Sequence, residues 1–413
     1  MAELDWQDEH ALRALDLDEE LRAIVADVAA STGDVAQARS MPPAAYTSER
    51  FYEFEKDAVF GRSWLFLCHV SQIPKPGDSH LVTLAGEPLI VVRGAEGEIR
   101  VMSAVCQHRA HVIPEVDKEV MRLRCPYHYW TYNLDGSLHS APSMRPAHDL
   151  DQLRATIALP TVRIEVWEGL VFANLDPDAE PLAPTLASLA PHVTPFRIAD
   201  LRVAETMTFA DLPFNWKNMQ ENALEEYHTT YVHRGYHERA PARLVRHHDY
   251  APGDGAVYRH AGLLIPSGAQ VPNRPFIPAP PGLPEELYHD LLFMAIPPLQ
   301  FAAVEATGIK MFRITPQSAS RTTLTITWLY PQPTIELPDF PDLMKAQLEL
   351  VDVIDQPDLE VNTSVYRGLQ SRFAQQGPYS PQEASLPQFN QWCLERYLRP
   401  LPARAAACPV VTA

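Results

Sequence analysis

The chain lacks three features that often decide a first interpretation: long apolar runs, an excess of basic residues and a signal peptide. No apolar run in the 413 residues approaches the roughly 18 residues that a membrane span needs. The formal net charge is −18, so a polyanion such as DNA would be repelled. The acidic N-terminus has neither the basic nor the apolar region of a signal peptide. We therefore expect a soluble cytoplasmic protein that binds neither membranes nor nucleic acids.

Cysteine is also scarce. The cysteines are odd in number and widely separated, namely Cys68, Cys106, Cys125, Cys393 and Cys408. In a reducing compartment such thiols are buried or bind metals, and they do not form a disulfide framework. The length of the chain predicts about two or three domains.

The first part of the chain changes from a helical to a β pattern. Residues 1–40 are predicted to form an acidic arm with a short amphipathic helix, because apolar residues recur at i, i+3, i+4 and i+7. These residues are Leu21, Ile24, Val25 and Val28. Residues 61–176 contain short β-like runs separated by glycines, and Asp135-Gly136 is a hairpin signal. This segment is predicted to be a small all-β domain.

The remainder of the chain has a mixed pattern. Residues 41–60 and 177–400 are predicted to form a second domain, followed by a tail at 401–413. Within this domain we predict a helix at 215–233, a polar, proline-rich excursion at 234–298, sheet at 309–330, and a helix at 342–373 interrupted at Pro357.

Two pairs of cysteine and histidine form the first candidate metal site. Cys106 and His108 make one pair, and Cys125 and His128 make the other, with sixteen residues between the pairs. Two thiolates and two imidazoles suit a tetrahedral zinc ion or a [2Fe–2S] cluster with mixed ligands. Zinc loops usually space their two pairs alike, whereas here C-x-H differs from C-x-x-H. The unequal spacing argues against zinc without excluding it.

The helix predicted at 215–233 carries the second candidate site. Glu225 and His228 are i, i+3 neighbours, so on a helix they share a face and could form a hydrogen bond. His228 and His233 lie roughly 140° apart around a straight helix. They cannot bind one ion in that geometry, so we predict a π-type bulge or the end of the helix there. Glu226 would point about 100° away from Glu225.

The residues around both sites resemble one family. The first group comprises Cys106-Gln107-His108-Arg109, Cys125-Pro126-Tyr127-His128-Tyr129-Trp130 and the Asp135-Gly136 turn. The second comprises Asn215-Trp216-Lys217, Glu221-Asn222, Glu225-Glu226-Tyr227-His228 and His233. They are similar to the two metal-binding segments of the Rieske non-haem iron oxygenases, of the ring-hydroxylating dioxygenase large-subunit type. The resemblance implies an α+β fold: a small all-β Rieske domain beside a helix-grip catalytic domain, in which helices wrap an antiparallel sheet.

The resemblance also implies ligands for two cofactors. Two cysteines would hold one iron of a [2Fe–2S] cluster and two histidines the other, through Cys106, Cys125, His108 and His128. A mononuclear Fe(II) would be held by His228, His233 and Asp358, with Asp355 and Asp352 as alternatives for the carboxylate. One departure is Tyr129, since the family usually has a small residue, most often glycine, before the tryptophan.

Glu225 corresponds to the acid that bridges the two metal sites in this family. There the subunits form head-to-tail homotrimers, which implies that electrons pass from His128 of one subunit through Glu225 to His228 of its neighbour. Many ring dioxygenases have aspartate at this position. The glutamate resembles the branch of the family that hydroxylates or demethylates quaternary amines.

The implied function is that of a terminal oxygenase. It would use O₂ and electrons from NAD(P)H, delivered by a reductase or ferredoxin, to hydroxylate an aromatic or other small organic substrate. The alternative is a monooxygenase that demethylates or hydroxylates a quaternary amine or a methyl ether. A non-enzymatic electron carrier or a zinc protein would explain the cysteine–histidine pairs only, and would leave Glu225 and the second metal set without a purpose.

Overall fold

The structure is a computed structural model that describes residues 17–115, 121–233, 235–267, 277 and 282–401. The first sixteen residues of the predicted arm and all but one of the predicted tail lie outside the described residues. The chain forms two compact units, one comprising Arg62–Glu180 and the other comprising the segment up to Gly61 together with Pro181–Leu401. None of the helices in the described part is long and apolar enough to cross a bilayer.

The described chain begins with three helices, α1 (Glu19–Ala29), α2 (Pro43–Thr47) and α3 (Glu49–Ala58). Asp18 caps α1 by accepting a hydrogen bond from the main-chain N–H of Leu21. The face predicted from periodicity is the buried one, formed by Leu21, Ile24, Val25 and Val28. The predicted amphipathic helix is therefore confirmed.

The unit Arg62–Glu180 consists mainly of short antiparallel strands. They are β1 (Leu65–His69), β2 (Ser79–Leu84), β3 (Glu87–Arg93), β4 (Ile99–Ser103), β5 (Arg122–Arg124), β6 (Thr131–Asn133), β7 (Leu138–Ser140), β8 (Arg163–Trp167) and β9 (Leu170–Asn174), with helix α4 (Leu150–Thr156) before β8. The strands form three-stranded sheets in the orders β1-β9-β8, β2-β3-β4 and β5-β6-β7. The predicted hairpin joins β6 to β7, and its Gly136 has φ 88°, a left-handed conformation that favours glycine.

The second unit is built on an antiparallel sheet. Its strands are β10 (Leu201–Leu212), β11 (Val245–His247), β12 (Val257–Gly262), β13 (Asp290–Ile296), β14 (Gln300–Glu305), β15 (Gly308–Ser318) and β16 (Arg321–Pro331). They lie in the order β10-β16-β15-β14-β13-β12-β11, and every neighbouring pair is antiparallel. The α+β fold class, with a small β domain and a helix-covered antiparallel sheet, is confirmed.

The second unit has further helices besides α1, α2 and α3. They are α5 (Leu182–Thr185), α6 (Ala190–Val193), α7 (Trp216–Leu224), α8 (Thr229–Val232), α9 (Tyr236–Arg239), α10 (Gln332–Ile335), α11 (Phe340–Glu349), α12 (Asp355–Leu369) and α13 (Ser385–Tyr397). A hydrogen bond from Gln220 Nε2 to the main-chain oxygen of Gln300, at 3.3 Å, ties α7 to β14.

Three predicted elements differ from the observed ones. The helix predicted at 215–233 is wrong, because the chain leaves the helical conformation at Glu225, which is extended (φ −129°, ψ 159°). The excursion predicted at 234–298 supplies β11, β12 and β13 of the sheet, although its proline content suggested a loop. The helix predicted at 342–373 is broken before Asp355, and Pro357 lies in the first turn of α12, where its missing N–H is tolerated.

A buried ion pair joins α3 to α7. Lys217 Nζ lies 2.8 and 3.0 Å from the two carboxylate oxygens of Glu55, and both side chains are fully buried. The indole of Trp216 and the hydroxyl of Tyr397 donate further hydrogen bonds to Glu55, at 3.1 and 2.6 Å. The carboxylate thus has three donors from two helices, which fixes the start of the segment that carries the second candidate site.

Replacing Lys217 with methionine should destabilise the fold strongly. The substitution leaves Glu55 buried without a counter-charge, a change that typically costs about 3–5 kcal/mol. Urea unfolding followed by circular dichroism measures the loss. Lys56→Met is the matched control, because the side chain of Lys56 is partly exposed and forms a surface pair with Glu53, which is worth about 0–1 kcal/mol. Equal unfolding midpoints for the two variants would contradict the prediction.

Candidate metal centres

The four residues predicted to hold the cluster lie on two similar loops. Cys106 and His108 follow β4, while Cys125 and His128 lie between β5 and β6. In each loop the N–H of the residue four positions after the cysteine donates to the cysteine carbonyl at 3.0 Å. Those donors, Ala110 and Tyr129, both have left-handed backbones, with φ 55° and 60°. The repeated turn explains why two unequally spaced pairs can form one site.

The left-handed backbone at Tyr129 gives a physical reason for the glycine that is usual at this position. A side chain there costs roughly 1–2 kcal/mol. The ring of Tyr129 is 56% exposed and lies 5.0 Å from the guanidinium of Arg124. It therefore adds an aromatic group to the surface of the loop without altering any of the four predicted ligands.

The side chains of the two loops fit a metal cluster. Cys106 and Cys125 are both buried, and burial raises the pKa of the Cys106 thiol. The rings of His108 and His128 are nearly perpendicular with centroids 4.6 Å apart. Their Nδ1 atoms are buried and have no hydrogen-bond partner among the described residues. Buried nitrogens without partners are costly, so two thiols and two such imidazoles suit a bound [2Fe–2S] cluster or zinc ion.

Tyr132 supplies hydrogen bonding to the first loop. Its hydroxyl lies 3.3 Å from Cys106 Sγ and accepts a hydrogen bond from the main-chain N–H of Gln107 at 3.0 Å. Because the N–H occupies the oxygen, the phenolic proton is free to point at the sulfur. A donor to a ligating sulfur raises the reduction potential of an iron–sulfur cluster.

His228, His233 and Asp358 converge on one point in the second unit. The two Nε2 atoms lie 3.2 Å apart, and Asp358 Oδ1 is 3.5 Å from His228 Nε2 and 3.2 Å from His233 Nε2. Ligand atoms of these three side chains all lie within 4.8 Å of one another, which is close enough to hold one metal ion. Two imidazoles and one carboxylate are the donor set of non-haem Fe(II) sites.

The two histidines meet because the helix is short. His228 precedes α8 and His233 follows it, so they stand at opposite ends of a four-residue helix. Of the two predicted geometries, the ending helix is the one observed. Asp358 comes from the first turn of α12, which is distant in sequence.

The alternative carboxylates are engaged elsewhere or exposed. Asp355 forms an ion pair with Lys310, and Asp352 is exposed in a 3₁₀ turn. Asp358 also accepts a hydrogen bond from Asn222 Nδ2 at 3.3 Å. The sequence motif contained Asn222. Its contact with Asp358, which lies 136 positions away, could not be predicted from the motif. The amide orients the carboxylate toward the histidines.

Glu225 contacts His228 in two ways. Its Oε2 accepts a hydrogen bond from the main-chain N–H of His228 at 3.1 Å, and its Oε1 is bonded to the Nδ1 of the ring. The predicted contact is therefore present, but the helical geometry proposed for it is wrong. Burial lowers the pKa of His228. The hydrogen bond to Glu225 and the negative charges of Glu225 and Asp358 together outweigh this effect, so the pKa of His228 is raised. A proton held on Nδ1 leaves the Nε2 lone pair directed at His233 and Asp358.

Glu221 is a further acid on α7, one turn before Glu225. The hydroxyl of Tyr46 donates to Glu221 Oε1 at 2.6 Å. Burial raises the pKa of Glu221 to about 7, which the Tyr46 bond and Lys217 only partly oppose. This carboxyl therefore binds a proton at a higher pH than an ordinary glutamate does.

The Glu221→Gln variant should change the pH dependence of stability. The pKa of Glu221 is raised above that of an unfolded chain, so the folded state binds a proton that the unfolded state releases between about pH 4.5 and 7. Glu221 therefore destabilises the fold increasingly as the pH rises through this window. We expect the variant to gain stability relative to the wild type between pH 5 and pH 8 in urea unfolding. A difference that does not vary with pH would contradict this assignment.

Two protein families match the chain. The family described as Rieske [2Fe-2S] domain matches residues 63–162, and the ring hydroxylating alpha subunit (catalytic domain) matches residues 198–399. The first contains all four residues of the cysteine–histidine loops. The second contains Glu225, His228, His233 and Asp358. The Rieske match favours a [2Fe–2S] cluster over zinc.

Individual relatives of the chain include oxygenase subunits of two monooxygenases. The oxygenase subunit of carnitine monooxygenase from Escherichia coli (strain K12) is 32% identical over 203 residues, covering 48% of this chain and 54% of the relative. This match thus spans about half the length of that relative. The oxygenase subunit of glycine betaine monooxygenase from Pseudomonas aeruginosa (strain UCBPP-PA14) is 26% identical over 91% of this chain and 94% of the relative.

A solved structure has the same fold. Naphthalene 1,2-dioxygenase from Rhodococcus sp. superimposes with a TM-score of 0.75 at 22% identity, covering 92% of this chain and 97% of that one. Because the Rieske domain and the ring-hydroxylating catalytic domain follow one another in one chain, with the fold of a solved dioxygenase, this protein belongs to the Rieske non-haem iron oxygenases.

Proposed function

We propose that the chain is the terminal oxygenase component of a Rieske system that hydroxylates an aromatic or other small organic substrate. The observation that carries this proposal is the convergence of His228, His233 and Asp358 in a unit separate from the cysteine–histidine loops. An electron carrier or zinc protein has no use for such a second centre. The cluster when bound stores single electrons, and the mononuclear iron when bound supplies the O₂ chemistry that no side chain can provide.

Each group of residues has a task in this proposal. Cys106 and Cys125 would hold one iron of the cluster, and His108 and His128 the other. His228, His233 and Asp358 would hold the mononuclear iron, and a set of three protein ligands leaves coordination positions for O₂ and substrate. Asn222 fixes the carboxylate, and Glu225 fixes the tautomer of His228.

Glu225 would also connect the two kinds of centre. We propose that the chain assembles as a head-to-tail homotrimer, in which His128 of one subunit meets Glu225 of the next. A reductase or ferredoxin would deliver electrons from NAD(P)H to the cluster. The support for this proposal is the residue pattern of the family and the bond between Glu225 and His228.

A quaternary amine is the second candidate substrate, and two observations favour it. The acid at the bridging position is glutamate, and the relatives named above act, by their names, on carnitine and glycine betaine. Aromatic side chains are suited to enclose a quaternary ammonium group. A monooxygenase of this type would remove or hydroxylate a methyl or alkyl group of the substrate.

Substrate-dependent O₂ uptake tests the proposed function. The iron-replete protein, supplied with NADH and a surrogate reductase, is offered carnitine, glycine betaine, naphthalene and biphenyl. Uptake that depends on one of them is expected, with formaldehyde or an aldehyde as product from the amines and a cis-diol or phenol from the aromatics. His233→Ala is the control, because it keeps the cysteine–histidine loops. Uptake that is equal in the control, or absent with an extended panel, would contradict the proposal.

A further inference from the structure

The helix α7 ends before Glu225, and the side chains of two successive glutamates then point in different directions. Glu225 reaches His228, whereas Glu226 is fully buried beside Arg259 of β12. Arg259 Nη2 lies 2.8 Å from Glu226 Oε1, and the two side chains are 2% and 0% exposed. The buried Arg259 thus forms an ion pair with the segment that precedes the second candidate metal centre.

Arg259 also holds the main chain of this segment. Its Nη2 donates a hydrogen bond to the main-chain oxygen of Glu225 at 3.2 Å. The N–H and hydroxyl of Thr229 donate to the main-chain oxygen of Glu226, at 3.3 and 2.9 Å. The extended residue and the start of α8 are therefore tied on one side to the sheet and on the other to the helix that separates His228 from His233.

The sheet keeps the guanidinium in place. Arg259 on β12 is the register partner of Phe293 on β13, and the guanidinium carbon lies 4.0 Å from the centre of the Phe293 ring. A planar guanidinium stacked on an aromatic face has little freedom to move. Arg259 can therefore serve as a fixed point for the more irregular segment next to it.

We propose that Arg259 is a positioning residue for Glu225 and His228. Its ion pair with Glu226 keeps the neighbouring carboxylate away from the imidazole, so that Glu225 alone bonds to it. Its hydrogen bond to the main chain maintains the extended conformation that turns Glu225 toward His228. The inference rests on the proposed function, since it assumes that His228 binds iron.

Charge balance predicts how variants behave. In Glu226→Gln the buried Arg259 loses its counter-charge and attracts the carboxylate of Glu225, whose main-chain oxygen it already contacts. In Arg259→Met the carboxylate of Glu226 has no cation and competes for His228. The double variant removes both charges, so Glu225 should again bond to His228. The two single effects should therefore not add.

The test follows iron in the purified holoenzyme without turnover. The loss of mononuclear iron to ferrozine is timed anaerobically, and nitric oxide is added to the ferrous protein for electron paramagnetic resonance. Each single variant should lose iron about 10–100-fold faster than the wild type, with an altered nitric oxide spectrum. The double variant should return close to wild-type behaviour. Arg246→Met is the control, because Arg246 lies on neighbouring β11 with a side chain that is 64% exposed.

Single variants that retain iron as the wild type does would overturn the proposal, as would a double variant at least as defective as both singles combined. Where a single variant fails to fold, Arg259→Lys replaces it, since lysine keeps the charge and loses the planar guanidinium. Faster iron loss is expected for it, and wild-type retention would again contradict the positioning role. A wild-type protein that binds no mononuclear iron would instead refute the proposed function.

Discussion

Glu225→Gln is expected to leave both metal centres filled and to slow turnover by about 10–100-fold, the usual loss when the hydrogen-bond partner of a metal-bound histidine is changed. Glutamine is nearly isosteric, so the contact with the main-chain N–H of His228 can persist. The amide oxygen can still accept a hydrogen bond from His228, so the iron is kept, but the negative charge is lost from the proposed path between the imidazole and the cluster of a neighbouring subunit. Stopped-flow oxidation of the reduced cluster, in the presence of O₂ and a substrate from the panel, measures the effect.

Glu360→Gln is the matched control for this variant. Glu360 lies on α12 only two residues after Asp358, and its side chain is exposed. The cluster of the Glu360→Gln variant should be oxidised at the wild-type rate. Full-speed oxidation in Glu225→Gln, with iron content unchanged, would show that the bridging role is wrong.

His228→Ala is expected to remove the mononuclear iron and abolish oxygenase activity while the cluster remains. The substitution deletes one of the three proposed ligands, and the remaining imidazole and carboxylate cannot hold Fe(II) firmly. The cysteine–histidine loops belong to a different compact unit, so the visible absorption of the cluster should persist. Iron analysis and the absorption spectrum of the purified variant measure both parts.

His111→Ala is the control for the histidine substitution. His111 lies close to His108 in sequence, but its ring is exposed and its Nδ1 bonds to the main-chain oxygen of Val112 at 2.6 Å. This variant should keep both metals. A colourless His228→Ala protein would instead mean that the two centres fold as one unit.

The cysteine–histidine loops were the most predictable part of the molecule. The two predicted ligands of each loop lie within a stretch of four residues, and a local turn is enough to bring them together. The hairpin at Asp135-Gly136 was predictable for the same reason, because its conformation depends on one glycine. The assignment of the four ligands stays a prediction, although the geometry of the loops fits it.

The second centre was predictable in composition and not in shape. The motif identified His228 and His233, but the continuous helix expected there is broken at Glu225. Helix propensity is local, whereas the break is stabilised by Arg259, a residue 34 positions away that no motif contained. The available signal in the sequence was Arg259 itself, a charged residue in a run of strand-forming residues. The many prolines around this run led to its interpretation as part of a loop.

Metal and sulfide analysis, combined with electron paramagnetic resonance of the reduced protein, tests whether the chain carries both a [2Fe–2S] cluster and a mononuclear iron. We expect about three iron atoms and two acid-labile sulfides per chain, with the spectrum of a cluster that has mixed cysteine and histidine ligands. Zinc in the protein without acid-labile sulfide would contradict this expectation.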